Sequence, residues 1–421
     1  MTRKMKDSGI EWIGEIPEEW KISKIKHISR CLDGRRIPID ASLRKDGKYP
    51  YWGAGSIQGY VDDYIFDEEI ILLGEDGAPF FDKSREVAFL IDEKVWVNNH
   101  IHVLKGTSIE NPFLVYFLNI VDYTDYINGS ILKKLTKGNM KNISVASPDS
   151  TKQIKIIELL NRKTEQIENI KSTIIKEIQT LEEYKKSVIT EAVTKGLDKN
   201  VEMKDSGIEW IGEIPKHWIK AKIKHACSIV GSGTTPKSNN LNFYSDDGNF
   251  WIQSGDLYKS SEIINTEKKV SNLALKTYSA LKIYESPFLV MAMYGASVGN
   301  LSISKIDAAT NQACCVMKTN NSANLFYLYY WLLFVKDDFL RKAEGGSQPN
   351  ISQDKIKNQI IYFPTILEQN KIANYLNKKT KLIDDSIAIK QKQLETLEEY
   401  KKSLIYEYVT GKKEVKDGEE T

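Results

Sequence analysis

Thirteen residues of this chain occur twice. MKDSGIEWIGEIP fills 5–17 and again 203–215; Trp20 then recurs as Trp218, KIKH at 24–27 as KIKH at 222–225, and Pro38 as Pro236, all at an offset of 198. A second repeat has another offset. TLEEYKKS at 180–187 returns at 396–403, 216 residues on, and that offset also pairs Pro148 with Pro364, Gln153 with Gln369, Asn161 with Asn377, Thr164 with Thr380, Glu191 with Glu407 and Thr194 with Thr410, reaching back to KN at 141–142 and 357–358. Thirteen identities in register are duplication, not chance. The second half therefore carries 216 − 198 = 18 extra residues between its repeat segments. The repeats bracket two middles, about 39–135 and 237–351, that look little alike. One scaffold presenting two different surfaces is the simplest physical reading.

The segment from about 151 to 195 is helical by pattern. Ile167, Ile170, Ile174, Ile178, Leu181, Tyr184 and Val188 recur at steps of three and four, with no Pro or Gly between Pro148 and Gly196. Its counterpart, about 366 to 410, carries Ile383, Ile387, Leu394, Leu397, Tyr400, Leu404 and Tyr408, and Gly411 closes it as Gly196 closes the first. Some 40 residues make a helix of roughly 60 Å, longer than a globular core needs. A narrow apolar stripe with charged flanks is a coiled-coil seam. A helical hairpin inside an ordinary core, or a homodimer zipper, are the alternatives; the duplication favours an intramolecular antiparallel pair with pseudo-twofold symmetry.

The middles read as compact α+β units. In 39–135, EIILLG and REVAFLI alternate with turn residues and FLVYFL suggests a short helix; in 237–351, FWIQSGDL, SPFLVMAMYG and ACCVMK read as strands and NLFYLYYWLLFV as a buried helix. The expected division is 1–147 as a first globular unit, 148–200 as the central helix, 201–363 as a second unit, and 364–421 as the C-terminal helix and tail.

Composition narrows the function. A chain of 421 residues, 41% hydrophobic and 28% charged, is long enough for two or three folded domains. No stretch of 18 or more apolar residues occurs, and MTRKMKDSG has no apolar h-region, so no membrane anchor or leader is expected. Cys31, Cys227, Cys314 and Cys315 show no metal-ligand spacing and read as reduced packing residues of a cytoplasmic protein. No GxxxxGK[ST] loop, HExxH or GxSxG is present; Gln58 breaks GxGxxG in GAGSIQG, and Phe113 after Asn111 and Pro112 breaks the amino-methyltransferase NPP-aromatic motif. His100 and His102 alternate as structural strand residues do, and Asp82 with Lys83 is too common a pair to mark a nuclease. The chain reads as non-catalytic.

Nucleic-acid binding has positive support. KKLTKGNMK sets Lys133, Lys134, Lys137 and Lys141 around Gly138, and Arg35 and Arg36 follow Gly34. In the second half, GSGTTPK offers Thr234, Thr235 and Lys237, and GGSQPNISQDK offers Gln348, Asn350, Ser352 and Lys355. Gly-rich loops let amides approach phosphate, while Arg, Lys, Gln and Asn read base edges. Trp52, Gln58 and Tyr60 in YWGAGSIQGY, with Gln253 and Asp256 in the second half, complete the candidate set. The net charge is only +2; residues 28–150 hold 14 Lys and Arg against 18 Asp and Glu, a net of −4, and residues 226–363 hold 13 against 11, a net of +2. The first module must segregate its charges or lean on a basic partner.

With these residues in view, the chain resembles a specificity subunit of a type I restriction-modification enzyme, the HsdS family. KDSGIEWIGEIPEEW resembles the family's opening, and YWGAGSIQGYVDDYIFDEEIILLGEDGAPF its first-domain strand pattern. FWIQSGDL, YGASVG, TNQACCVMK and GGSQPNIS resemble its second-domain pattern. PDSTKQIKIIELLNRKT and PTILEQNKIANYLNKKT resemble the start of its conserved helices. The resemblance implies two target recognition domains, each reading one half of a bipartite asymmetric site in double-stranded DNA, and a helical ruler that sets the spacer. It also implies docking of two modification subunits and, through them, two restriction subunits; these would bring S-adenosylmethionine, ATP and Mg, with no cofactor in this chain. A non-catalytic scaffold with two protein-binding modules on a coiled-coil spacer is the alternative, separable by salt-dependent DNA affinity. A methyltransferase or nuclease with unrecognised motifs would instead show activity from the purified chain.

Overall fold

The computed structural model describes residues 3–82, 84–128, 133–258, 261–342 and 350–416. It forms two compact units that do not follow the linear order of the chain. One comprises residues 1–176 and 389–421, the other 177–388. The boundary cuts both long helices, Ser150–Lys195 of 46 residues and Ile366–Val409 of 44, so each unit contains part of both.

In the first unit, strands Ser29–Cys31, Ile101–Gly106, Ile70–Gly74 and Ala88–Ile91 form an antiparallel sheet in that spatial order. Ile70–Gly74 is buried along its whole length, as the unbroken apolar run IILLG demands of a central strand. A second sheet pairs Tyr49–Trp52 antiparallel with Ile57–Val61 and parallel with Trp96–Val97. Helix Asn111–Leu118, with Pro at its first turn, covers the first sheet with Phe113, Leu114, Phe117 and Leu118.

In the second unit, Cys227–Ser232, Cys314–Thr319, Phe288–Ala292 and Leu301–Ser304 take the same spatial order, with Glu262–Ile263 added in parallel at the edge. Tyr244–Ile252 pairs parallel with Ala309–Thr310, as Tyr49–Trp52 does with Trp96–Val97. Helix Leu325–Phe334 matches Asn111–Leu118. The middles, read from sequence as unlike, therefore share one topology. The likeness was hidden because it lies in which strands bond to which, and many alternating apolar sequences satisfy one such pattern.

The repeated motif joins sheet to helix identically in each unit. Trp20, 1% exposed, packs with Phe113 at 6.3 Å between ring centroids and shares a core with Ile156, Leu160, Leu404 and Tyr408. Trp218, also 1% exposed, meets Tyr327 at 6.4 Å within a core that includes Val188, Val193, Ile372 and Leu376. Each motif thus packs on the beginning of one long helix and the end of the other. Gly196 and Gly411 end the helices in the left-handed region, at φ +74° and +72°, where a side chain is strained.

Within the first unit the helices run antiparallel: Glu168 meets Lys401 at 3.0 Å, and Lys171, three residues on, meets Glu398, three residues back, at 2.7 Å. In the second unit Lys185 and Asp384 pair at 2.7 Å; the offset of 216 carries Glu168 to Asp384 and Lys185 to Lys401, so this is the same contact repeated. The expected seam is only partly covered. Ile167, Ile174, Val188, Ile383, Leu404 and Tyr408 are buried, whereas Ile170, Tyr184 and Tyr400 are 47–52% exposed.

Candidate nucleic-acid interface

In the first unit four loops gather at one end of the sheets. The chain leaving Ile70–Gly74 turns at Gly77, φ +69°, with Glu75 N donating to His100 O at 3.2 Å, Gly77 N to Lys133 O at 3.1 Å and Leu135 N to Glu75 O at 2.9 Å. Asn98 N donates to Trp52 O, which brings in the loop after Tyr49–Trp52. A side chain on Gly74 would meet Ala78 Cβ at 2.3 Å and Ala54 O at 3.1 Å, so the loops close here only around a glycine.

The second unit repeats three of these four bonds. Gly295 turns at φ +70°; Met293 N donates to Ala313 O, Ile351 N to Met293 O and Asn311 N to Ile252 O. The bridge between Asp76 and Lys134 has its counterpart in the bridge between Tyr294 and Asn350. Lys134 and Asn350 are thus equivalent, as the offset of 216 requires.

Three of the six candidate cations in the first unit, Arg35, Arg36 and Lys134, are engaged by carboxylates. Arg36, 13% exposed at its side chain, binds Glu75 at 2.6 Å and Ile101 O at 2.8 Å. Arg35 binds Glu68 at 2.5 Å and lies 4.3 Å from the centre of the Phe66 ring. Lys134 meets Glu75 at 3.2 Å and Asp76 at 3.1 Å, and these bonds hold its ammonium above the usual lysine range. Beneath them His102 is fully buried, its Nδ1 2.9 Å from Asp33 Oδ2 and its Nε2 2.8 Å from Leu135 O. Burial would raise the Asp33 carboxyl, but bonds from His102 and Val103 N, with the His102 and Arg36 charges, bring it down to about 2.

Trp52 is buried against Phe89, at 5.1 Å between rings. Gln58, Tyr60 and Lys133 face solvent, Lys133 with its Nζ 4.2 Å from the exposed Phe81 ring. Lys137 and Lys141 sit on helix Lys137–Asn142, beside a small cavity with Cys31 and Met140.

In the second unit Thr235 Oγ1 donates to Gln312 Oε1 at 2.5 Å, both side chains exposed, and Thr234 is half-buried beside them. Lys237 is exposed, and its N–H donates to Tyr278 Oη. Asp256 is buried and accepts from the backbone of Gln253 and Glu267, so its carboxylate shapes the loop that holds Gln253. Asn350 is half-buried beside the exposed Tyr294. Ser352 caps helix Gln353–Asn358 by accepting from Lys355 N. Gln348 lies outside the described residues.

The loop ends also expose His100, Gln312 and Tyr294, which sequence reasoning passed over. The 216 offset links Lys134 to Asn350 in the sequence, but only the bridges of that pair in the structure lead on to Asp76 and Tyr294. Among the described residues no group of three His, Cys, Asp or Glu is placed to hold a metal, and no helix is long and apolar enough to cross a membrane. All four cysteines are free, and burial pushes the Cys227 and Cys315 thiols up to about 12.

The model of the type I restriction modification DNA specificity domain matches residues 17–180 and again 215–399. A chain described as a type I restriction enzyme specificity subunit from Haemophilus influenzae is 25% identical over 405 residues, covering 93% of this chain and 95% of that one. The MjaVIII specificity subunit of Methanocaldococcus jannaschii is 24% identical over 425 residues, covering 96% and 95%. Among solved structures, a chain from work on complex assembly and conformational transition of the type I R-M system superposes with a TM-score of 0.70 at 13% identity, covering 94% of this chain and 98% of its own. The HsdS subunit from Thermoanaerobacter tengcongensis gives 0.51 at 14%, with the same coverage. With two copies of the domain along its length, this chain belongs to the type I restriction modification DNA specificity family.

Proposed function

We propose that this specificity subunit reads a split, asymmetric sequence in double-stranded DNA, one half with each unit. One observation carries the reading. The two units share three backbone hydrogen bonds and one bridge of a single loop frame, while the side chains on it differ: Lys133, Lys134, Gln58, Tyr60 and His100 in one, Thr235, Gln312, Tyr294 and Asn350 in the other. A conserved frame with divergent tips suits two readers of unrelated half-sites, since base edges are read by side chains and the frame sets their approach. Arg35 and Arg36 act by ordering the first loop cluster, Trp52 and Asp256 by packing beneath the tips, and Thr234, Lys237, Gln253, Gln348, Ser352, Lys355, Lys137 and Lys141 flank the DNA.

The long helices, about 69 and 66 Å at 1.5 Å per residue, would fix the unread spacer. Two modification subunits would dock on the repeated segments and supply S-adenosylmethionine; two restriction subunits, with ATP and Mg, would join through them in the cytoplasm. The chain itself contributes recognition and no chemistry.

The test is a methylome. The chain is expressed with its modification subunit in a host lacking adenine methylation, and modified bases are mapped. A single split motif with a fixed gap is the expected result; no methylation from a complex shown to be assembled sinks the reading in favour of a protein-binding scaffold. Deleting four residues from one long helix, about 6 Å of rise, should shorten the gap by one or two base pairs at about 3.4 Å each. An unchanged gap removes the ruler and leaves the readers.

A further inference from the structure

Many exposed positions of the repeated segments differ between the two copies. Glu18, Glu19, Lys21, Ile22 and Arg30 correspond to Lys216, His217, Ile219, Lys220 and Ser228, and all ten face solvent. Between them KIKH is unchanged: Lys24, Lys26 and His27 are exposed in the first unit, and Lys222, Lys224 and His225 in the second. Helices Lys137–Asn142 and Gln353–Asn358 show the same contrast. Lys137, Gly138, Asn139 and Met140 correspond to Gln353, Asp354, Lys355 and Ile356, whereas Lys141 and Asn142 return as Lys357 and Asn358. Burial accounts for the isoleucine at both 25 and 223. It does not account for the exposed lysines on either side.

The two unchanged groups are far apart in the chain and meet in space. Helix Ile25–Ile28 packs on Lys137–Asn142, and Ile223–Ala226 on Gln353–Asn358. Asn142 Nδ2 donates to Gly138 O at 3.0 Å and Asn358 Nδ2 to Asp354 O at 2.9 Å, which leaves each amide oxygen to accept. Lys26 Nζ donates to Asn142 Oδ1 at 3.4 Å, and Lys222 Nζ to Asn358 Oδ1 at 3.3 Å. Among the described residues, none of Lys24, Lys26, Lys141, Lys222, Lys224 and Lys357 pairs with a carboxylate.

We propose that these lysines form a phosphate clamp, built once in each unit, that grips the DNA backbone without reading sequence. The inference rests on the DNA reading proposed above and adds the contact that both halves share. An identical surface on two readers calls for an identical ligand. On that reading the bases differ between half-sites, while the phosphodiester backbone is the same in both. Lysine meets phosphate as a point charge and releases a counterion whatever the sequence. In the first unit the patch runs on to the reading loops. Lys26, Lys137 and Lys141 border one cavity of about 160 Å³, and helix Lys137–Asn142 begins just beyond strand Lys134–Leu135. Lys24 and Lys26 also lie outside residues 28–150, and so add positive charge to a module whose net is −4. An acidic face of a modification subunit docked twice would be the competing ligand, but it gives no reason for this continuity.

The subunit, assembled with its modification subunit, is titrated with a duplex carrying the mapped motif and with one of equal length lacking it, over a series of salt concentrations. Lys24→Gln with Lys26→Gln, and separately Lys222→Gln with Lys224→Gln, should each lower the slope of log affinity against log salt by about 2 on both duplexes. The methylated motif should stay the same. The corresponding Lys→Arg pairs should keep the slope, which separates lost charge from a damaged fold. An unaltered slope in either Gln pair overturns the proposal, as does an equal fall in the Arg pairs. A slope lost on the motif duplex alone would make these lysines readers and also overturns it. Release of the modification subunit from the Gln variants, seen by light scattering, would assign the patch to a protein partner and reject the clamp. The duplex without the motif tests the clamp by itself, so failure to find any split motif would sink the reading above and leave the clamp standing.

Discussion

The loop ends of the two units are built on one backbone and run on different chemistry. In the first, Arg35, Arg36 and Lys134 are held by Glu68, Glu75 and Asp76 above the buried Asp33–His102 pair. In the second, uncharged Thr235, Gln312, Tyr294 and Asn350 occupy the corresponding tips, and Cys315 stands where the first unit has His102, each pairing with the residue one before the end of its central strand. The difference shows how a duplicated scaffold diverges. Backbone hydrogen bonds hold the frame whatever the side chains are, so the tips are free to change. Charge brought under the tips is tolerated only when fully partnered, because an unpaired buried charge costs several kcal/mol. The first unit accordingly carries a net charge of −4 across 28–150 and still presents Lys133 to solvent.

The largest break in the comparison should come from the element both units share. Phe113→Ala and Tyr327→Ala each remove a fully buried ring that faces the repeated tryptophan. Each should cost about 3–5 kcal/mol, seen as matched falls in the denaturant midpoint. A large loss in only one would mean that the two cores are not equivalent.

Asp33→Asn should act on the first unit alone, with a loss of about 2 kcal/mol at neutral pH. The carboxyl lies near 2 in the folded chain against an ordinary 3.8. Its stabilisation is therefore complete above about pH 4 and fades as the pH falls towards 2. Acid titration of stability should show that window in the parent and not in the variant. Cys315→Ala, the matching change in the second unit, should leave the acid profile unaltered.

DNA contacts should separate by kind. Asn350→Ala should relax one half of the methylated motif, with a discrimination loss of about 1–3 kcal/mol at the affected position, and leave the other half intact. Lys133→Ala should weaken binding evenly across sequences and lower the slope of log affinity against log salt by about 1. Loss of both half-sites from Asn350→Ala would indicate failed assembly instead of lost readout.

The smallest effects belong to the repeated ion pair. Lys401→Gln and Lys185→Gln each break one copy of the same exposed contact, and each should change stability by about 0.5 kcal/mol or less. Paired thermal scans test this, and a difference well above that between them would show that one copy is embedded in a wider network. Glu168, which also takes Lys171, is the place to look for it.

Several particulars were legible before any fold was known. The run of residues without Pro or Gly from Pro148 to Gly196 forms one helix, and the buried character of IILLG and FLVMA is written in their composition. Arg36 could not be placed the same way. Its sequence neighbours suggest a phosphate contact, while its partners Glu75 and Ile101 O arrive from 39 and 65 residues away. Trp52 and Asp256 were candidates for base contacts by sequence, and only the folded structure shows that both are buried.

The sequence by itself determined the duplication, the two long helices and the positions where they end, because identity, periodicity and glycine caps are local properties of the chain. Within the repeated segments it also determined which residues are equivalent, through two offsets. Tertiary structure alone decided that the dissimilar middles are one fold, since strand order is a set of long-range hydrogen bonds that no local pattern encodes. It alone decided which charged groups face water and which face each other. The same lysine or glutamate serves either purpose, and only the distance to its partners tells them apart.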